Sequence, residues 1–241
     1  MKLRRLGVIC LLSASVFAMT SGRADATPLT YTFDSDTQGW AGTGTGQPTA
    51  TWHGSGGNPG GNVSVSVSGG ISGTGTITPN LGLFRAISLD TANYGGTVSI
   101  DTALLAGANL ISTQGLYIQF HGVQNGQEFI ISYNGTVNLL GGGWNTTSVR
   151  LDESAAWTWQ TIFPISTHAM TKTDWNTYLP LVSDILIEDK LSFLRSTGGN
   201  GTFGFDNITF TDAPPTAVPE PTSMLLLATG LAGLGLRRRS A

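Results

Sequence analysis

The sequence predicts an all-β protein, an antiparallel β-sandwich, on three observations. Short segments alternate apolar and polar residues with a period of two, and glycine-rich breaks separate them. Polarity comes from Gly, Ser, Thr and Asn rather than from charge: the 241 residues include 33 glycines, and only 11% are charged, against roughly a quarter in a typical soluble domain. A hydrophobic content of 40% supplies a core and excludes wholesale disorder.

In chain order, residues 1–26 read as a secretory signal peptide. Lys2, Arg4 and Arg5 give the positive start, Leu6 to Met19 the apolar stretch, and Ala24-Asp25-Ala26 the small-x-small cleavage pattern. The apolar stretch falls short of the ~20 residues that a spanning helix needs. Cleavage there removes Cys10, the single cysteine, so the mature domain has neither a disulfide nor a multi-cysteine zinc site.

Residues 27–212 hold the strands. Leu29 to Phe33, Val63 to Val67, Thr97 to Ile100, Leu116 to Phe120, Phe129 to Tyr133, Trp157 to Ile162, Leu191 to Phe193 and Phe203 to Ile208 each alternate, as strands with one buried face do. Gly54 to Gly61, Gly69-Gly70, Gly95-Gly96, Gly141 to Gly143 and Gly198-Gly199 break them. Asn134-Gly135 is expected to form a hairpin turn. One helix is expected over Thr173 to Ile187, where Trp175, Tyr178, Leu179, Val182 and Leu186 recur at helical spacing behind a Thr173 or Asp174 cap. Pro180 inside that run shortens or breaks it. No internal repeat is visible, which argues against a solenoid or propeller.

Residues 213–222 form a proline-rich linker containing Pro219-Glu220-Pro221, and 223–241 an apolar run ending in Arg237-Arg238-Arg239. The arginines would hold the C-terminus on the cytoplasmic side, and a run this short suits a transient sorting helix rather than a permanent span. This order of Pro-Glu-Pro, apolar helix and basic cluster resembles the PEP-CTERM sorting signal of Gram-negative bacteria. The resemblance implies that an exosortase, a membrane cysteine protease-transpeptidase, processes the tail near Pro219 to Pro221. It also implies release or attachment of the protein at the outer surface or in the extracellular matrix.

The two ends carry seven of the twelve basic residues. Between them, residues 27–217 keep Arg85, Arg150, Lys172, Lys190 and Arg195 against thirteen acids, a net charge of −8. Nucleic-acid binding, which needs clustered Lys and Arg, is excluded.

Several short motifs carry a second resemblance. Phe33-Asp34-Ser35 with Gly39-Trp40, Gly56 to Gly61, Tyr94 to Ile100, Thr173-Asp174-Trp175 and Phe205 to Ile208 resemble the laminin IV (laminin B) domain over residues 29–211. The stretches Ala103 to Thr113 and Gly141 to Gly143 depart from its pattern. The resemblance implies a galactose-binding-like jelly roll, an architecture shared with non-catalytic carbohydrate-binding modules. In such folds an ion commonly ties the first strand, an early loop and the last strand. The matching oxygen donors are Asp34 (with Asp36 two on), the Gly57-Asn58 loop and Asp206, a calcium-type set. The competing expectation is that these acids cap turns. Trp144, in a glycine-rich loop, and Trp157, sharing a strand face with Trp159, are candidate sugar-stacking residues, with Trp40 and Trp159 expected in the core.

Catalytic signatures are sparse. His53, His121 and His168 lack metal-ligand spacing, and there is no Gly-x-Ser-x-Gly elbow. The pairs Asp152-Glu153 and Glu188-Asp189 are expected to be solvated turn residues, although distant acids can still assemble a glycosidase pair. The expectation is a non-catalytic, exported surface or matrix protein associated with exopolysaccharide. The alternatives are a carbohydrate-binding module for a defined glycan, and a polysaccharide-degrading enzyme.

Overall fold

Alternation with a period of two becomes sheet pairing when one face of each segment can be buried. The computed structural model describes residues 28–44, 48–67, 76–77, 80–106, 110–136, 142–163, 165–194 and 201–214, all within one unit, Ala26–Pro214. The expected signal peptide, the sorting motif with its helix, and the breaks Gly69-Gly70 and Gly198-Gly199 lie outside the described residues. Among the described residues no helix is long and apolar enough to cross a membrane.

The strands are β1 (Leu29–Tyr31), β2 (Ala41–Gly44), β3 (Thr51–Gly57), β4 (Gly60–Val67), β5 (Thr76–Ile77), β6 (Asn80–Ala86) and β7 (Thr97–Ala106). Then come β8 (Leu110–Gln124), β9 (Gln127–Gly135), β10 (Asn145–Arg150), β11 (Trp157–Thr161) and β12 (Ser166–Ala169). A helix, α1 (Lys172–Tyr178), and a 3-10 turn (Leu179–Leu181) lead into β13 (Val182–Leu194), and β14 (Gly201–Thr211) closes the domain. One sheet has six strands in the order β10-β7-β14-β4-β3, with β1 also on β14. The other has eight, β12-β11-β9-β8-β13-β6-β2, with β5 also on β13. This is the antiparallel β-sandwich that the alternation predicts.

The apolar faces of the two sheets make one core. Val63, Val65, Val98, Ile100, Phe203, Phe205 and Phe210 contribute from the six-stranded sheet, and Leu81, Leu83, Ile118, Phe120, Ile131, Ile185 and Ile187 from the other. Phe120 and Phe210 meet across the layers with ring centroids 6.4 Å apart.

Two local expectations are corrected. Asn134 and Gly135 lie within β9, paired with Tyr117 and Leu116. The β8–β9 turn is instead Asn125-Gly126, both at positive φ (53° and 78°). That is the two-residue geometry whose twist matches the flanking strands, and its position is set by the Gln124 and Gln127 register. The helix stops at Tyr178, capped by Thr171 in a capping box with Asp174, so neither Thr173 nor Asp174 is the N-cap. Beyond Pro180 the sequence alternates rather than recurring at helical spacing. Val182, Ile185 and Ile187 are buried in β13, the strand between β8 and β6.

Candidate functional site

Two regions gather polar side chains. The first is on the outer face of the six-stranded sheet, where Asp206 of β14 stands opposite Asp101 of β7. Asp206 is fully buried and Asp101 nearly so. Asp206 accepts the backbone N–H of Asn58 at 2.6 Å on Oδ2 and that of Asn207 at 2.7 Å on Oδ1. Asp101 accepts the Thr146 hydroxyl at 2.5 Å and the side-chain amides of Asn58 and Asn207 at 3.2 and 2.8 Å. Asn207 also donates to the Asn58 carbonyl.

Local backbone geometry builds this knot. Asn207 has φ +46° where β14 carries an extra residue against β7 between Asp206 and Thr209. Such a bulge re-aims side chains, and Asn tolerates the left-handed region. Gly57 admits no side chain: a Cβ there would stand 1.8 Å from the Gly61 carbonyl and 2.6 Å from Asp206 Oδ2. Phe33, buried at φ +53°, accepts the Trp52 indole N–H on its carbonyl at 2.6 Å. Asp34 follows, exposed, held by the Thr32 hydroxyl at 2.7 Å with Oδ1 over Gly60.

Of the three residues singled out for calcium, Asn58 and Asp206 are joined directly, with Asp101 bonded to the Asn58 side chain, while Asp34 stands apart over Gly60 of the same hairpin. Burial raises the Asp206 pKa above its ordinary value, opposed by the Asn58 and Asn207 backbone hydrogen bonds and reinforced by the negative charges of Asp101 and Asp34. Among the described residues, no three side chains of His, Cys, Asp or Glu converge closely enough to hold a metal by themselves. An ion here would take its further oxygens from amide side chains and backbone carbonyls, which is within calcium chemistry.

The tryptophan expectations change. Trp157 is 1% exposed, packed on Phe120, Tyr133 and Trp175 at centroid distances of 5.3, 5.3 and 5.5 Å. Its indole N–H donates to the Arg150 carbonyl at 2.7 Å. It is a core residue because the face of β11 that carries it turns inward, and no sugar can reach it. Trp144 is half-buried: its N–H donates to the Gly56 carbonyl at 3.0 Å and its ring covers Gly204. It braces the β3–β4 hairpin and leaves part of its side chain open to solvent. Trp40 is buried and Trp159 partly so.

The second region escaped the sequence reading. It is the outer face of the eight-stranded sheet. With Leu116, Ile118 and Phe120 buried, the alternate residues Tyr117, Gln119 and His121 point outward. Register across β9, β8, β13 and β6 sets Asn134, Tyr117, Glu188 and Gly82 in one row. Ser132, Gln119, Leu186 and Phe84 form the next, and Ile130, His121, Asp184 and Ala86 the third. Asn134 donates to the Tyr117 hydroxyl at 2.8 Å, Ser132 and Thr158 share a hydrogen bond at 2.9 Å, and Phe84 is 40% exposed. None of these twelve positions is Lys or Arg. Only the period of the strands hinted at this surface, because its polar residues are spread over sequence-distant segments.

The family model of the PEP-CTERM protein-sorting motif matches residues 217–239, a span that contains Pro219, Glu220, Pro221 and Arg237 to Arg239. The motif marks an exported protein of Gram-negative bacteria, sorted to the cell surface with processing by an exosortase. No curated protein matches the chain. Among solved structures, it is similar to a family 11 carbohydrate-binding module from Clostridium thermocellum in complex with a β-1,3-1,4-mixed-linked tetrasaccharide. That match has 14% identity and TM-score 0.45, covering 77% of this chain and 96% of that one. It is also similar to a xylan-binding domain of family 22, with 12% identity and TM-score 0.44, covering 79% and 96%. A match to an exo-β-agarase, with 14% identity and TM-score 0.43, covers 79% of this chain and 25% of that enzyme.

Proposed function

We propose that the protein is an exported, non-catalytic glycan-binding component of the cell surface or extracellular matrix, delivered through its N-terminal signal peptide and sorted by its C-terminal tail. In this reading the domain holds an extracellular polysaccharide along the outer face of the eight-stranded sheet. One observation carries it: the open face sets hydroxyl, amide and carboxylate groups in rows beside exposed aromatic surface at Phe84. Sugars are bound by that combination, hydrogen bonds to their hydroxyls and an aromatic ring against their C–H faces. The lack of Lys and Arg at these positions, with acids at Asp184 and Glu188, favours a neutral polymer over a polyuronate.

Affinity electrophoresis of the full chain in gels containing neutral β-glucan, xylan or polygalacturonate tests the proposal. Retardation is expected in a neutral gel and is expected to weaken in a Phe84→Ala variant. Migration that no polysaccharide alters would refute it, as would retardation that Phe84→Ala leaves untouched.

Calcium belongs to the same proposal as a structural staple rather than a ligand-binding element. The negative charges of Asp101 and Asp34 each act on Asp206, and none of the three is in a described salt bridge with a basic residue. A divalent cation held by Asp34, Asn58 and Asp206 would relieve that repulsion.

A further inference from the structure

At one end of the outer face the strands leave a cavity of about 130 Å³. Its lining includes His121, Val123, Ile130, Ile162, Ser183 and Asp184, with the exposed carboxylate of Glu128 at its edge. The cavity has a structural origin. Val182 pairs with Gly122 and Asp184 with His121, so Ser183 is an extra residue in β13. A bulge of this kind bends the strand and re-aims the side chains beside it.

The polar wall asks for a hydrogen-bond donor. Asp184 takes the Ser183 hydroxyl on Oδ2 at 2.8 Å, whereas its Oδ1 has no hydrogen-bond partner. His121 Nδ1 stands 3.6 Å from that oxygen, beyond hydrogen-bonding distance. Oδ1 is buried from solvent, but the side chain as a whole is 21% exposed. An ionised carboxylate offers about four acceptor positions, so a ligand donor meets the acid at Oδ2, beside the Ser183 hydroxyl. His121 Nε2 is engaged with Gln119 Oε1 at 3.3 Å, and the Ser183 hydroxyl is already committed. Within the cavity, Ser183 serves the acid and His121 does not come within hydrogen-bonding distance.

The opposite wall is hydrocarbon. Val123 is 52% exposed, Ile130 and Ile162 are half-buried, and the aromatic ring of Phe129 lies beneath. A volume far above the ~10–15 Å³ that one water needs admits a substituent of several heavy atoms. That substituent must join an N–H or O–H donor to an apolar end. A sugar hydroxyl supplies only the donor, and an ammonium group would meet the carboxylates of Asp184 and Glu128 but leave the hydrocarbon of Val123, Ile130 and Ile162 uncovered. An acetamido group supplies both, its N–H toward Asp184 and its methyl toward the isoleucines.

We propose that this cavity is an acetamido subsite and that the glycan bound by the face contains N-acetylhexosamine. The inference rests on the glycan-binding reading of the outer face and adds the class of sugar. Three β-1,4-linked oligosaccharides that differ only at C2, of glucose, glucosamine and N-acetylglucosamine, test it by calorimetric titration of the full chain in mild detergent. The N-acetyl oligomer is expected to bind about tenfold tighter than the glucose oligomer, the effect of one charge-assisted hydrogen bond plus a buried methyl. Asp184→Leu, which removes the acceptor at similar volume, is expected to bring the two oligomers to equal affinity. Ile162→Ser, at a half-buried turn position, is expected to reduce the same preference, and melting temperatures identify a variant that fails to fold. Equal wild-type affinity for the glucose and N-acetyl oligomers would overturn the subsite and leave the glycan-binding face standing. Preference for the glucosamine oligomer would overturn it in favour of an ammonium pocket. Binding of none of the three would overturn the subsite, and the polysaccharide gels then decide separately whether the face binds glycan at all.

Discussion

Replacing Trp157 by alanine distinguishes a core tryptophan from a sugar platform. The side chain is 1% exposed and sits in a cluster of four aromatic rings, stacked on Phe120 at an interplanar angle of 24° and edge-on to Trp175 at 85°. Truncating a buried Trp to Ala costs about 3–5 kcal/mol in transfer and cavity terms. Loss of the 2.7 Å bond to the Arg150 carbonyl adds about 1 kcal/mol. In a domain of this size each kcal/mol lowers the melting temperature by about 2–4 °C, so Trp157→Ala should melt about 10–20 °C below wild type. Trp157→Phe keeps most of the packed ring and loses the N–H donor, and should cost about 1–2 kcal/mol. Thermal unfolding followed by near-ultraviolet circular dichroism reads both variants, and electrophoresis in a polysaccharide gel below the transition reads binding. A Trp157→Ala protein that melts like wild type but no longer binds glycan would refute the core assignment.

Three further outcomes are expected. Excess calcium should raise the melting temperature of chelator-treated protein, and Asp206→Asn should abolish most of that rise; a melting temperature indifferent to calcium and chelator removes the ion from the proposal. Without calcium, Asp206 has a raised pKa, so the folded state disfavours its ionised form at neutral pH. That penalty disappears as pH falls through the raised folded value toward the unfolded one. Wild type should therefore gain stability relative to Asp206→Asn on acidification from about pH 7 to 4 in chelator, and a relative loss would contradict the burial-driven shift. Gly126→Ala, at φ +78° with nothing within 4 Å of the added Cβ, should cost about 1 kcal/mol through backbone strain alone; urea unfolding with an unchanged midpoint would contradict the positive-φ turn.

What the sequence made legible and what it hid follow from the range of the interactions involved. Alternation is local, so strands such as Val63 to Val67 and Phe203 to Ile208 could be read directly, and the acids Asp34 and Asp206 were found because each ends or interrupts such a run. Asp101 was missed for the same reason that it matters. It directly follows Ile100 in an alternating strand and reads as an ordinary solvent-facing residue, yet it is 4% exposed. The loop carrying Asn58 and the strand carrying Thr146 close over it, and no local pattern announces a cover contributed from more than 40 positions away on each side. β13 failed differently, because Val182 and Leu186 fit helical spacing as well as strand alternation, and only its neighbours β8 and β6 decide between them. The cavity beside Asp184 compounds both effects. It needs the β13 register, the inserted Ser183 and the β8–β9 hairpin at once, so its chemistry exists only after three segments have paired. That dependence gives the acetamido subsite a structural consequence: deleting Ser183 would restore continuous pairing of β13 with β8 and should remove N-acetyl preference while the β-sandwich persists.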